Sequence, residues 1–189
     1  MEQIDILYAI ADLFEKHHIS YLLTGSFASA YYAHPRSTHD IDLILAVEQA
    51  GSMKMIEAFK ELDTSYVIPF TAIPQTMKSK GQFDIFHEGT STKVDFWIVE
   101  SDQFVDDYQR RHIVAMDGHR IPIISAEDLI LTKLKWSKQI MSERHVRDCA
   151  GILAIQKDML DYSYLNAQIK KHGLEKLYQL ALKTEYQKT

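Results

Sequence analysis

The chain has one cysteine, Cys149, in 189 residues, which excludes an internal disulfide and any cysteine-based zinc cluster. Cys149 reads as a small buried residue on a helix. No apolar run approaches the roughly 20 residues that a membrane-crossing helix needs. The start, Met1-Glu2-Gln3-Ile4-Asp5, has neither the basic residues nor the apolar stretch of a signal peptide, so the expectation is a cytoplasmic protein without a membrane partner. Positive charge is short as well: 21 Lys and Arg against 26 Asp and Glu give a net charge of −5. That argues against a broad electrostatic footprint for nucleic acid, which rests on clustered lysine and arginine. The basic runs at Arg110-Arg111-His112 and Arg144 to Arg147 read as solvated faces. Repeats and low-complexity segments are absent from the sequence.

What remains is ordinary globular composition, 46% hydrophobic and 25% charged. The length suits a single domain, with a core over about residues 18–124 and a helical part over about 125–189. The informative stretch runs from Leu22 to Leu45. Tyr21-Leu22-Leu23 is a short apolar strand, and Phe27-Ala28-Ser29-Ala30-Tyr31-Tyr32 favours helix, so Ser26 falls where an N-cap belongs. A helix opening on Gly25-Ser26 presents free backbone N–H groups and a positive dipole end, and Gly25, lacking a Cβ, lets an anion come close. In the next strand, side-chain alternation sends Asp40 and Asp42 to one face and Ile41, Leu43 and Leu45 to the other. Two carboxylates so placed repel each other unless a cation intervenes, and a hard divalent ion with oxygen ligands suits them, Mg²⁺ first.

A D-x-D pair alone is expected by chance about once in a chain this rich in aspartate. The combination is more specific. Gly25-Ser26, a helix, then Arg36-x-Thr38-x-Asp40-Ile41-Asp42-Leu43 resembles the signature of polymerase-beta-type nucleotidyltransferases. The resemblance implies an α/β (α+β) fold, a small mixed sheet with helices packed on it, and transfer of a nucleoside monophosphate from an NTP to an acceptor hydroxyl. It implies that Gly25 and Ser26 hold the triphosphate, that Arg36 and Thr38 belong to the nucleotide site, and that Asp40 and Asp42 bind two Mg²⁺ ions, with Mn²⁺ as the alternative.

The family pattern places a third acidic ligand on a later strand. Gln82 to Glu88 and Thr92 to Val99 read as a hairpin, and Asp95 alternates there with Trp97 and Val99. A lone carboxylate among apolar neighbours is costly unless something pairs with it, and a shared metal would answer that cost. Asp95 is therefore the expected third ligand, with Asp84 as the alternative.

Ser125-Ala126-Glu127-Asp128 is a capping box that opens a helix to about Trp136. At 100° per residue Lys133 falls inside the apolar arc of Leu129, Ile130, Leu131 and Leu134. A lysine there is expected to snorkel toward an anion, the triphosphate, whereas Lys135 lies on the polar side. Ser125 to Asp128 with Lys133, followed by Arg144-x-x-Arg147-Asp148, resembles the third and fourth motifs of the abortive-infection (AbiEii-like) group of bacterial nucleotidyltransferase toxins. That implies active-site roles for Lys133 and Asp148, and a cognate antitoxin or regulator as partner. Gly-Ser in place of the Gly-Gly common in that group is a departure. The rival readings are a catalytically inactive nucleotidyltransferase-like binding or antitoxin module and a metal-dependent phosphohydrolase. Three retained carboxylates count against the first, and the poverty of histidine near them, apart from His39, counts against the second.

Elsewhere, helical periodicity predicts residues 3–17, with Ile4, Leu7, Tyr8, Ala11 and Phe14 inward. It also predicts 49–62, with Met53, Ile56, Phe59 and Leu62 inward, and 143–156, with Val146, Cys149, Ala150 and Leu153 inward. Residues 73–81 read as a loop. A hairpin turns at Asp117-Gly118, and two terminal helices break at Gly173.

Overall fold

A computed structural model of the chain describes residues 2–34, 38–46, 51–140 and 142–186. These fall into two compact units: the described residues of Met1–Ser26 and Ser37–Ile124, and those of Phe27–Arg36 and Ser125–Thr189.

The first unit holds a seven-stranded mixed sheet. Its strands are β1 (Tyr21–Thr24), β2 (Asp40–Ala46), β3 (Tyr66–Val67), β4 (Gln82–His87), β5 (Thr92–Val99), β6 (His112–Met116) and β7 (His119–Ile123), in the order β3-β4-β5-β2-β1-β7-β6. The β2–β5 and β1–β7 pairs are parallel and the others antiparallel. One face of the central strands is apolar because alternation puts Ile41, Leu43 and Leu45 of β2 in register with Val94, Phe96 and Ile98 of β5, and all six are buried. Phe83 and Ile85 of β4 extend that face. Phe14 from α1 (Gln3–Lys16) and Phe59 from α3 (Gly51–Phe59) close on it, with ring centroids 5.9 and 5.4 Å from Phe96. Phe14, Phe59 and Phe96 are each fully buried, worth about 1.5 to 3 kcal/mol apiece in apolar burial. The opposite face of the same strands is polar, and the candidate site stands on it.

Two expected elements differ. In α3 it is Met55, Ala58 and Phe59 that are buried, while Met53 is 61% exposed. The inward arc is therefore turned from the expected one, and residues 49–50 lie outside the described residues. Residues 73–81 contain a helix, α4 (Ile73–Ser79), in place of the expected loop. Pro74 stands in its first turn, where a missing N–H costs nothing, and Ile73 and Met77 bury one face four residues apart. A further helix, α5 (Ser101–Gln109), follows β5.

In the second unit α6 (Ala126–Ile140), α7 (Glu143–Ile155), α8 (Tyr162–His172) and α9 (Glu175–Lys183) are joined by the later residues of α2 (Gly25–Tyr32). Tyr32 is buried and its carbonyl accepts from Gln156 Nε2 at 2.8 Å. Ala33 lies so close to Gly151 that an added Cβ would stand 3.3 Å from its own. Val146, Cys149, Ala150 and Leu153 are buried as the periodicity predicts, and burial pushes the Cys149 thiol up to about 12. Among the described residues no helix is long and apolar enough to cross a membrane.

Gly173 caps α8 with φ of +61°, a conformation that costs an L-residue about 1 to 2 kcal/mol. Lys138 Nζ donates to the carbonyls of His172 and Gly173 beside it. Gly173→Ala is expected to lower stability by about 1 kcal/mol, since only backbone strain changes. Urea denaturation of the two proteins measures it.

Candidate active site

β1 ends at Thr24 and the chain passes directly into α2 through Gly25 and Ser26. Register then assembles the site. Thr24 stands opposite Asp42 across the antiparallel β1–β2 pair, Asp42 opposite Asp95 across the parallel β2–β5 pair, and Asp95 opposite Asp84 across β4–β5. Directly opposed residues share a face, so Thr24, Asp42, Asp95 and Asp84 form one row over four strands. Two residues back along β2, Asp40 stands opposite Lys93, which stands opposite Phe86. Strands lie about 4.8 Å apart, so the row sets like charges side by side.

Specific partners meet that repulsion. Asp95 is 3% exposed; its Oδ2 lies 2.8 Å from Lys93 Nζ and its Oδ1 accepts from Gln82 Nε2 at 2.5 Å. Burial pushes its carboxyl above the ordinary carboxylate range; Lys93 pulls it back, Asp42 adds to the rise, and Gln82 opposes it. Asp42 is half-buried and its Oδ1 accepts from Trp97 Nε1 at 3.2 Å. Asp84 is exposed. The cost foreseen for a lone carboxylate on β5 is thus answered by Lys93 and Gln82. Lys93 could have been found in the sequence, since it lies two residues before Asp95 on the same face. Gln82 and Trp97 could not, because their roles depend on cross-strand register.

Gly25 has a different use from the one foreseen. Its φ is +63°, and a Cβ built there would fall 1.9 Å from Asp42 Oδ2 and 2.5 Å from Asp42 Cγ. The close approach that the glycine permits is made by the carboxylate of Asp42. Ser26 is 8% exposed. Thr24 is fully buried, and its hydroxyl has no hydrogen-bond partner among the described residues; the sequence showed it only as the end of a strand. Thr38 joins the first turn of β2, its hydroxyl accepting from the Asp40 N–H at 3.4 Å. Arg36 lies outside the described residues.

Lys133 and Asp148 belong to the second unit. Lys133 is 1% exposed, and its Nζ donates to Asp148 Oδ2 at 2.7 Å. The anion that meets this buried ammonium is the carboxylate one helix away, on α7. Asp128, at the start of α6, accepts from Ser125 Oγ and Tyr164 Oη, both at 2.7 Å. The Ser125 hydroxyl in turn accepts from the Asp128 N–H at 3.1 Å and caps the helix.

An antigenic nucleotidyltransferase-like protein from Paracoccidioides brasiliensis has a structure similar to this one, with a TM-score of 0.55 at 14% identity over 98% of this chain and 94% of that one. ANT(2'')-Ia in complex with adenylyl-2''-tobramycin is similar at a TM-score of 0.55 and 14% identity over 95% of each chain. The chain has the nucleotidyltransferase fold. The lincosamide antibiotic adenylyltransferase LnuA, lincomycin-bound, shares that fold at a TM-score of 0.53 and 18% identity over 79% of this chain and 95% of that one. No protein-family model and no curated protein matches the sequence.

Two outcomes follow from this geometry. Gly25→Ala must push Asp42 aside and hold alanine at positive φ, a loss of about 2 to 4 kcal/mol. Asp42→Ala in the same chain removes the nearest clashing atoms and should recover part of it, read as coupling in a double-mutant thermal denaturation cycle. Lys133→Met leaves Asp148 without its buried ammonium and is expected to cost about 3 to 5 kcal/mol. Adding Asp148→Leu should return most of that, and additive losses would place the pair's importance elsewhere.

Proposed function

We propose that the protein is a metal-dependent nucleotidyltransferase that moves a nucleoside monophosphate from an NTP to an acceptor hydroxyl. The observation that carries the reading is the in-register placement of Asp42 and Asp95 on adjacent parallel strands, with Asp40 on the same face and the Gly25-Ser26 turn at the end of the neighbouring strand. The nucleotidyltransferase fold supports it.

The donor set fits a hard divalent ion in its chemistry: carboxylate oxygens on one sheet face, with the unpartnered Thr24 hydroxyl beside them. In the described arrangement no three acidic, histidine or cysteine side chains converge to hold a metal, because Asp95 is turned to Lys93 and Gln82 and Asp42 to Trp97. In this reading Asp40, Asp42 and Asp95 would hold two Mg²⁺, or Mn²⁺ in their place. Bound there, the ions would supply electrostatic stabilisation of the transferring phosphoryl group.

The residues of the chain do the rest. The N–H groups at Gly25 and Ser26 orient the β- and γ-phosphates at a helix start. Arg36 and Thr38 complete the nucleotide site on the sequence resemblance. In this reading Asp95 also receives the proton of the acceptor hydroxyl. Lys133 and Asp148 are assigned to the nucleotide site on the abortive-infection resemblance. That resemblance favours a toxin of a toxin–antitoxin or phage-defence pair. The likeness to antibiotic adenylyltransferases favours a small-molecule acceptor over a protein hydroxyl or an RNA end.

NTP is expected to raise the melting temperature more with Mg²⁺ present than without it, because a ligand bound only by the folded state stabilises it by mass action. Asp42→Asn should abolish transfer of labelled NMP while leaving the metal-free protein as stable or more so, since it relieves like-charge repulsion. Calorimetry showing no NTP binding at millimolar Mg²⁺ would remove the reading. NTP binding without transfer to any acceptor would assign the chain to the inactive, binding-module class.

A further inference from the structure

We propose that Lys93 is the resident counter-ion of the acidic row, and that a divalent cation enters by taking its place on Asp95. The inference rests on the nucleotidyltransferase reading above and adds to it a residue that governs when the metal binds.

Lys93 stands in register with Asp40 on one side and Phe86 on the other, and its Nζ lies 2.8 Å from Asp95 Oδ2. Asp95, Asp40 and Asp84 all act on its charge, the hydrogen bond to Asp95 most strongly. The other partners that the described residues offer the row are neutral: an amide from Gln82 on Asp95 and an indole N–H from Trp97 on Asp42. Among the described residues, four carboxylates therefore face one ammonium in this register, an excess of negative charge that a divalent ion relieves better than a lysine does.

The exposures decide which partner can leave. The Lys93 side chain is 38% exposed and that of Asp95 5%, so the lysine can swing its flexible stem into water while the aspartate stays fixed. An independent observation at the other end of the row points to a ligand there. Thr24, opposite Asp42 in the row, is fully buried with a hydroxyl that no group among the described residues meets. An oxygen so placed costs free energy until a donor, an acceptor or a cation reaches it. Lys93 thus offsets part of the charge of the row in the metal-free chain, at Asp95, and is exchanged when the ion arrives.

The test is Mn²⁺ binding to the full chain without nucleotide, by calorimetry and by thermal denaturation. Lys93→Met removes the competitor, so Mn²⁺ should bind about tenfold more tightly than to the unaltered chain, the order of one charge-assisted contact screened by water. The variant should also melt lower without metal and gain more from Mn²⁺ than the parent does. Lys93→Arg, which keeps the charge, should stay near the parent. A Lys93→Met chain that folds only with Mn²⁺ would support the exchange. One that Mn²⁺ does not restore, or that binds Mn²⁺ no more tightly than the parent, would make Lys93 an ordinary ion-pair partner and overturn the proposal while leaving the metal reading intact. Mn²⁺ binding to neither chain would remove the metal reading itself.

Discussion

Two carboxylates held side by side across a parallel strand pair set the terms for the rest of the first unit. Asp42 and Asp95 are opposed in register, and no rotamer takes either far from the other. Everything adjacent answers that repulsion. Gly25 gives up its side chain so that Asp42 can lean away against the backbone, Trp97 supplies an indole N–H, and Gln82 and Lys93 bracket Asp95. The apolar face behind them, with Phe14, Phe59 and Phe96 in contact, makes the strands too rigid to relax by slipping. A register shift of one residue would turn Ile41, Leu43 and Leu45 to the polar side.

A similar logic operates in the second unit on a smaller scale. Lys133 and Asp148 are a buried pair of opposite sign, and such pairs specify an arrangement more than they stabilise it. The Ser125, Asp128 and Tyr164 cluster ties α6 to α8 by hydrogen bonds in the same manner. In both units the polar residues sit where the sequence places a charge in an apolar period, and a partner is found one element away.

Such local conflicts were the legible part of the sequence. Asp95 among apolar neighbours and Lys133 inside an apolar arc both announced that a partner must exist, and both have one. Lys93 was legible two residues before Asp95, whereas Gln82 and Asp148 were not, because they come from elements whose pairing no local pattern encodes. The clean period of α7 matches its buried residues, and the break expected at Gly173 is the cap of α8. In α3 the larger side chains of Met53 and Ile56 drew the predicted arc away from Ala58, which is small enough to pack closely. Pro74 reads as a breaker in sequence, yet at the start of a helix it is an initiator. The polar α5 hides from any apolar period, since its described buried residues are Phe104 and Asp107.

The path of the chain between the units has a consequence for its synthesis. Residues 27–34 are made early, yet their partners, from Ser125 onward, emerge from the ribosome some ninety residues later. Throughout that interval the Tyr32 carbonyl lacks the amide of Gln156. A growing chain can complete the sheet of the first unit while this segment still waits as an apolar, unpaired flag of the kind that chaperones bind. The bond between Tyr32 and Gln156 therefore forms only once α7 is complete, and a chain stalled before that point presents the segment to the cell's quality control.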